Sequence, residues 1–464
     1  MGAERGEAIV VGAGPNGLAA AVTLAQAGKR VRLIEAAPTI GGGCRSAPLT
    51  LPGFLQDVCA AAHPLARASR FFRTLSSQLE SDWIQPPAAV AHPLDDGTAV
   101  LSMQSLDETA RRLGADERAY RNLMQPFVDG GTGLLDDLLG PLGVPRHPLA
   151  MARFGLVGLR SATGVAAAFQ TAQARALFAG MAAHSMLPLD QPGSAAAGLV
   201  LAMLAHQVGW PMPKGGSQQI VDALGERLRA LGGAIEVDRR VTTLDEFPRS
   251  AVQFLDLAPR DVARVAGDRL PERYRRRLKR FRQGWGSFKV DFALDGPIPW
   301  QAAECAQAGT VHLGGTLEEI ATGEAATSRG EHSARPFVLL CQQSLFDPTR
   351  APDGNHTVWA YCHVPHGSTR DMTDVIEGQI ERFAPGFRRR ILAKTMMGPA
   401  DFERYNANYV GGGVQDLRQL FTRPTPSLRP YGTPDPRLFI CSASTARHRR
   451  RRAAASTVSA VTSP

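Results

Sequence analysis

Three glycines and one acid near the start of the chain could hold a phosphorylated ligand. In "AIVVGAGPNGLAAAVTLAQAGKRVRLIEA", Ala8 to Ala36, the glycines Gly12, Gly14 and Gly17 stand in the spacing G-x-G-x-x-G, with Pro15 and Asn16 inside it. Glu35 follows 18 residues after Gly17. Each residue type has a task in binding a dinucleotide. Gly12 permits a tight turn, Gly14 lets the backbone approach a pyrophosphate, and Gly17 lets a helix pack closely on a strand. Glu35 is placed to accept from the hydroxyls of a ribose. The glycine spacing alone is a weak signal, because a structural glycine turn would show it too.

The elements around the glycines make the pattern specific. Ala8 to Val11 reads as a buried parallel strand. "LAAAVTLAQAG" reads as a helix of good formers ended by Gly28. "VRLIE", Val31 to Glu35, reads as a second strand. The helix would aim free N–H groups and the positive end of its dipole at the phosphates. Strand, glycines, helix, strand and acid in this order predict a dinucleotide site. The stretch after Glu35, "APTIGGGCRSAPLTLPGFLQD", holds a second glycine cluster, Gly41 to Gly43, with Arg45 and Ser46 behind it. A nicotinamide dehydrogenase would be expected to continue into another strand–helix unit there, so the cluster favours FAD over NAD.

That second cluster resembles the G-G-R-x-x-[S/T] signature of the amine-oxidase and phytoene-desaturase flavoproteins. Gly43 stands where that signature has its first arginine, and Arg45 is the candidate to supply the charge. "WPMPKGGSQQIVDALGERLRALGGAIEVDRRVTTL", Trp210 to Leu244, resembles the central element of the same superfamily. "NANYVGGGVQDLRQLFTRPTP" and "PYGTPDPRLFICSAST" resemble its phytoene desaturase-like group in the carotenoid/retinoid oxidoreductase family. The nearest subgroup is the one with the animal pyridine nucleotide-disulphide oxidoreductase domain-containing protein two. The resemblance runs to about Thr445. It implies an α/β fold: a discontinuous FAD/NAD(P)-binding Rossmann-like domain with an α+β substrate domain. It implies FAD as cofactor, along Gly42, Gly43 and Arg45, with Val241 on a strand at the adenine end. The FAD domain would comprise 1–70, 210–258 and 400–445, and the substrate domain 71–209 and 259–399.

The implied activity is that of an FAD-dependent oxidoreductase. It would dehydrogenate or desaturate an apolar small molecule, polyene-like or isoprenoid-like, with oxygen or a quinone-like molecule as the electron acceptor. A non-catalytic or defective FAD-fold protein with a binding or regulatory role is the competing class. The segments assigned to the substrate domain suit an apolar pocket. "FKVDFALDGPIPW" alternates as a strand, with Phe288, Val290, Phe292 and Leu294 on one side. "PFVLLCQQS" and "TVWAYCHVP" read as strands, and "DMTDVIEGQIERFAPGF" as a helix with Asp371 at its N-cap. His63, His184 and His206 sit in apolar surroundings, where a core histidine and a catalytic one are both open readings. Lys214 precedes the Gly215–Gly216 pair and is given no role.

Composition narrows the rest. The chain has 464 residues, too many for one simple core. Five of its nine net positive charges come from Arg447, Arg449, Arg450, Arg451 and Arg452. The body therefore offers little charge to a nucleic acid, and "YRRRLKRFRQ" reads as a solvated helix face. No nucleic-acid partner is expected, and peripheral contact with a membrane is open. The six cysteines form no C-x-x-C, which fits reduced thiols, no metal and a cytoplasmic setting. No signal peptide is recognised ahead of the first strand.

The end of the chain breaks the pattern. In the family, the stretch matched by "FICSAST" leads into a glycine-rich turn that closes over the flavin. Here it leads into "ARHRRRRAAASTVSAVTSP". With 47 Arg against five Lys the gene should be GC-rich. In suitable GC-rich codons, the stretch Ala453 to Pro464 read two nucleotides later gives Gly-Gly-Val-His-Gly-Val-Ser-Gly-Tyr-Leu-Ala, which looks like the missing motif. Residues 446–464 are therefore expected to be an out-of-frame, disordered tail, with a genuine basic arm as the alternative.

Overall fold

Two sheets organise the chain, and each draws its strands from distant parts of the sequence. The structure, a computed structural model, describes residues 6–74, 83–139, 144–413 and 431–443. The expected tail, 446–464, lies outside the described residues, as do the later part of "NANYVGGGVQDLRQLFTRPTP" and the last residues of "PYGTPDPRLFICSAST".

The first sheet is parallel and five-stranded. Its order is Leu438–Ile440, Val252–Leu255, Glu7–Val11, Arg30–Ile34 and Ala234–Glu236. The strand Glu7–Val11 is central, and Ala8, Ile9 and Val10 are fully buried between two apolar layers. Above it, Leu18, Ala21 and Val22 of helix α1, Pro15–Gln26, pack with Val221, Leu224 and Leu228 of the helix Gln218–Ala230. Below it, Ile9, Val11 and Ile34 pack with Val262, Val265 and Leu270. Burial on both faces explains why these strands are near-continuous Val, Ile and Leu.

The second sheet has seven strands: Ile391–Met397, Gly286–Leu294, His356–Val364, Val338–Cys341, Ala308–Leu313, Ala88–Pro93 and Ala99–Met103. All its pairs are antiparallel except that of Ala308–Leu313 with Ala88–Pro93. One core under this sheet joins Phe288, Val290 and Phe292 to Ile376, Ile380 and Phe383 of the helix Thr373–Phe383. On its other side Leu339, Cys341 and Trp359 pack on a cluster of helices that includes Ala172–Ala183 and Ala195–Val208.

The expected helix over "DMTDVIEGQIERFAPGF" forms, as do the expected strands at Phe288, "PFVLLCQQS" and "TVWAYCHVP". Two details differ. The helix starts at Thr373 with Met372 as its N-cap residue, although Asp371 still accepts from Thr373 N at 2.8 Å. Val241 was expected on a strand, but the strand there ends at Glu236. Beyond Glu236 the chain turns through Asp238 at φ 55°, a left-handed conformation that ends the ladder.

Candidate functional site

The glycine loop forms because no side chain fits in it. Gly12 has φ +99°, and a Cβ on Gly17 would fall 1.9 Å from the Gly12 carbonyl oxygen. Strand and helix therefore touch backbone to backbone, and helix α1 starts at Pro15, just past the C-terminal end of the central strand. Glu35 extends the adjacent strand. Its Oε2 accepts from Ala13 N at 2.7 Å and its Oε1 from Ala37 N at 2.9 Å. The acid thus ties the loop to the turn that follows its own strand.

The second glycine cluster folds back onto the first. Gly41 N donates to Ala13 O at 2.8 Å, and a Cβ on Gly42 would lie 3.1 Å from the Gly14 Cα. Gly41 and Gly42 both have positive φ, at 127° and 53°. At Gly43 a Cβ would lie 2.0 Å from the Tyr409 hydroxyl, so a side chain there would require that ring to shift. Arg45 is buried and turned toward its own loop, donating from Nη2 to Thr39 O at 2.5 Å and lying 3.5 Å from Glu35 Oε1.

A cavity of about 670 Å³ runs from this loop toward the second sheet. Gly14, Pro15, Asn16, Gly42 and Gly43 line its near end. Thr310, Leu339, Cys341, Trp359 and Tyr361, from three strands of the second sheet, line its far end. Carbon makes up most of the wall. Gly12, Gly17, Glu35 and Arg45 stand behind that wall as its support. Val241 does not reach it: the side chain is buried with Ile9, Val11 and Ile34 under the first sheet.

Of the three histidines, two face the cavity. His63 Nε2 lies 2.7 Å from Ser217 Oγ, and His184 Nε2 lies 3.1 Å from His312 Nε2. Burial lowers the pKa of both, that of His184 to about 3, so both rings are neutral at pH 7. His206 is a core residue, bonded to the Tyr120 hydroxyl at 2.8 Å and to Gln104 O at 3.2 Å. Lys214 is exposed and outside the cavity.

Two charged residues in the wall were missed by sequence reasoning. Lys289 alternates with the apolar residues of its strand and was given no role. The strand is buried on both faces, and Lys289 is 2% exposed. Its ammonium donates to both Asp291 carboxylate oxygens at 2.7 Å and to Asp57 O at 2.8 Å. Asp57 also accepts from Arg350 Nη2 at 2.6 Å. Burial raises the Asp291 pKa to about 6, against the pull of Lys289. The available signal was the pair itself: opposite charges at i and i+2 share one face of a strand. The second missed residue is Asp256, which follows the strand Val252–Leu255. Its carboxylate accepts from Gly17 N at 2.9 Å.

The six cysteines are free thiols, and the described residues contain no cluster of metal-ligating side chains. No helix of the described residues is long and apolar enough to cross a membrane.

Comparison with known proteins agrees with this geometry. Residues 10–76 match the family model of the NAD(P)-binding Rossmann-like domain. Over 94% of its length the chain is 24% identical to pyridine nucleotide-disulfide oxidoreductase domain-containing protein 2 of Rattus norvegicus, covering 89% of that protein. Among solved structures, an oxidoreductase from Methanosarcina mazei aligns at TM-score 0.63 and 17% identity, over 98% of this chain and 99% of that one. Putrescine oxidase bound to putrescine aligns at TM-score 0.59 and 16% identity, over 98% of both chains. The chain is a mixed α/β protein with a parallel sheet and a Rossmann-like NAD(P)-binding domain, in the fold of these two solved structures.

Proposed function

We propose that this protein is an FAD-dependent oxidoreductase that dehydrogenates an apolar substrate of polyene or isoprenoid type. One observation carries the reading: a single cavity joins the glycine loops to an aromatic, mostly carbon-lined chamber on the second sheet. A dinucleotide seated on Gly12–Gly17 and Gly41–Gly43 would direct its reactive ring toward Trp359 and Tyr361. The backbone fits such a group, because Gly12, Gly14, Gly17 and Gly42 stand where a Cβ would crowd the loop. FAD when bound supplies acceptance of a hydride or its equivalent from a substrate C–H bond. The chain's residues place that bond and exclude water.

Lys289 bears on substrate class. An ammonium stands 5.4 Å from the Trp359 ring centroid, but its pairing with Asp291 leaves no net charge there to hold a charged substrate. The rat relative and the Methanosarcina structure both have oxidoreductase in their names, which supports the reaction class. The proposed domain division, 1–70, 210–258 and 400–445 against 71–209 and 259–399, is supported by strand membership in the two large sheets, each of which draws its strands from one set, while the short pair Trp83–Ile84 with Met212–Pro213 crosses the division. Peripheral contact with an anionic membrane is part of the reading. The helix Pro148–Gly158 and its flanks expose Val144, Leu149, Leu156 and Leu159 between the exposed Arg146, Arg153 and Arg160. The electron acceptor is oxygen or a quinone-like molecule.

The test is the absorbance of purified protein in the flavin bands, followed by anaerobic addition of polyenes, isoprenoids and amines. Bleaching by the first two and not by amines is expected. Bleaching by amines alone would sink the apolar-substrate reading. Bound flavin that no candidate substrate bleaches would favour a non-catalytic member of the fold.

A further inference from the structure

The site that should receive two phosphates already holds a carboxylate. The strand Val252–Leu255 pairs in register with the central strand, from Ala8 opposite Val252 to Val11 opposite Leu255. Asp256 N continues the ladder to Val11 O at 2.8 Å, which places the Asp256 side chain over the glycine loop. Its Oδ2 accepts from Gly17 N at 2.9 Å, and a Cβ on Gly14 would lie 2.9 Å from the same oxygen. The Asn16 amide also bonds the carboxylate. Asp256 is 6% exposed and forms part of the cavity wall beside Gly14, Pro15 and Asn16. These are the amides and the close backbone approach that a pyrophosphate uses in a loop of this kind.

The surroundings do not offset its charge. From the strand Arg30–Ile34, Glu35 faces it with a second negative charge, and from the strand Leu438–Ile440 the half-buried Cys441 thiol adds a neutral neighbour. Asn408 bonds the Asp256 carbonyl at 2.9 Å and leaves the carboxylate alone. Arg45 lies against Glu35. Among the described residues no cation lies within ion-pair distance of Asp256.

We propose that Asp256 controls entry of the dinucleotide: its carboxylate and the cofactor's phosphates compete for the same N–H groups, and the cofactor binds with Asp256 protonated. This rests on the dinucleotide reading above. A pyrophosphate diester stays doubly charged across the neutral range. A third negative charge against it in a buried site is strongly unfavourable, whereas a protonated carboxyl can donate a hydrogen bond to a phosphate oxygen. Burial, reinforced by Glu35, raises the Asp256 pKa to about 7. The sign follows. Above pH 7 the empty protein holds Asp256 charged and takes up one proton as the cofactor binds, so affinity falls as pH rises. Below pH 7 the dependence flattens. Burial lowers the pKa of His63 at this end of the cavity and raises those of Cys44, Cys59 and Tyr409, so these groups titrate outside that window.

The experiment titrates cofactor-free protein with FAD, read by the change in flavin fluorescence between pH 5.5 and 9. It compares the parent chain with Asp256→Asn and Asp256→Ser. The parent Kd is expected to weaken by up to about tenfold per pH unit above pH 7. Asp256→Asn, whose amide oxygen can still accept from Gly17 N, is expected to bind with little pH dependence and at least about tenfold more tightly at pH 8.5. Asp256→Ser should behave alike, and thermal melting checks that each variant is folded. A pH-independent parent Kd, or folded variants that bind more weakly than the parent at every pH, would overturn the proposal while leaving the dinucleotide site standing. Failure of folded parent and variants alike to bind FAD at any pH would overturn the FAD reading, and the proposal with it.

Discussion

A side chain at Gly17 has nowhere to go. A Cβ there meets a backbone carbonyl oxygen at 1.9 Å, and neither the strand nor the helix can give way without opening the sheet. Gly17→Ala should therefore cost stability at or above the upper end of the ~1–3 kcal/mol usual for overpacking, read as a lower urea midpoint. An unchanged midpoint would mean that the strand and helix do not pack as described. Glu35 makes a different prediction. Its two oxygens hold Ala13 N and Ala37 N, so Glu35→Gln can keep one of those bonds while losing the charge and the second acceptor. Flavin content after gel filtration should fall in this variant with only a small change in melting temperature. Equal flavin in both proteins would remove Glu35 from the binding site. The loop was legible in the sequence because its residues are close neighbours and each type has one local reason to be there. Asp256 was not, because its meaning comes from Gly17, 239 residues away, and only the register of two parallel strands brings them together.

At the scale of elements, the strand Gly286–Leu294 shows what alternation can and cannot reveal. Phe288, Val290, Phe292 and Leu294 do share one buried core. Alternation says nothing of what covers the opposite face, which in an antiparallel sheet can be solvent. Here that face is closed by the segment around Asp57 and by Arg350, and the charges on it pair in the interior. Lys289→Met should cost about 3–5 kcal/mol, because it leaves Asp291 buried beside Asp57 without its cation. The loss should be larger at pH 8 than at pH 5. Without Lys289 the Asp291 pKa rises from about 6, and protonation in acid relieves the uncompensated charge. Denaturant unfolding of Lys289→Met and of Lys289→Met with Asp291→Leu checks this. The double variant should recover part of the loss, and a double variant no better than the single would refute the pairing. Val241 was misplaced for a related reason. Its sequence suits a strand, but the left-handed turn at Asp238 ends the ladder first.

For the molecule as a whole, the fold class was legible because strand, glycine loop and helix came in order at the start of the chain. Which later segments complete each sheet was not, since short strands such as Leu438–Ile440 carry no period of their own. Surface behaviour belongs to this scale too. Leu149 and Leu156 are 86% and 77% exposed, and they alternate with arginines along one side of a helix that carries no acidic residue. Two copies joined through this face by a twofold axis would set arginine near arginine, so an anionic bilayer is the better complement. The protein should co-sediment with phosphatidylserine-containing vesicles and much less with neutral ones, and Leu149→Glu with Leu156→Glu should abolish this without altering the melting temperature. Equal sedimentation of the parent and the double variant would discard the membrane contact.

The interleaving of the two sheets also has a consequence for synthesis on the ribosome. The central strand Glu7–Val11 emerges first and finds Arg30–Ile34 at once, but its other neighbour, Val252–Leu255, comes only after the strands Ala88–Pro93 and Ala99–Met103 of the second sheet. The edge strand Leu438–Ile440 arrives last of all, after every strand of the second sheet. The half-made nucleotide domain must wait through most of translation with one side of its central strand unpaired, an invitation to aggregate. Chaperone dependence should consequently track the delay before residue 252 emerges rather than the chain's overall stability. A circular permutant that begins near residue 210 would present Val252–Leu255 early, and should fold with less assistance from the same set of contacts.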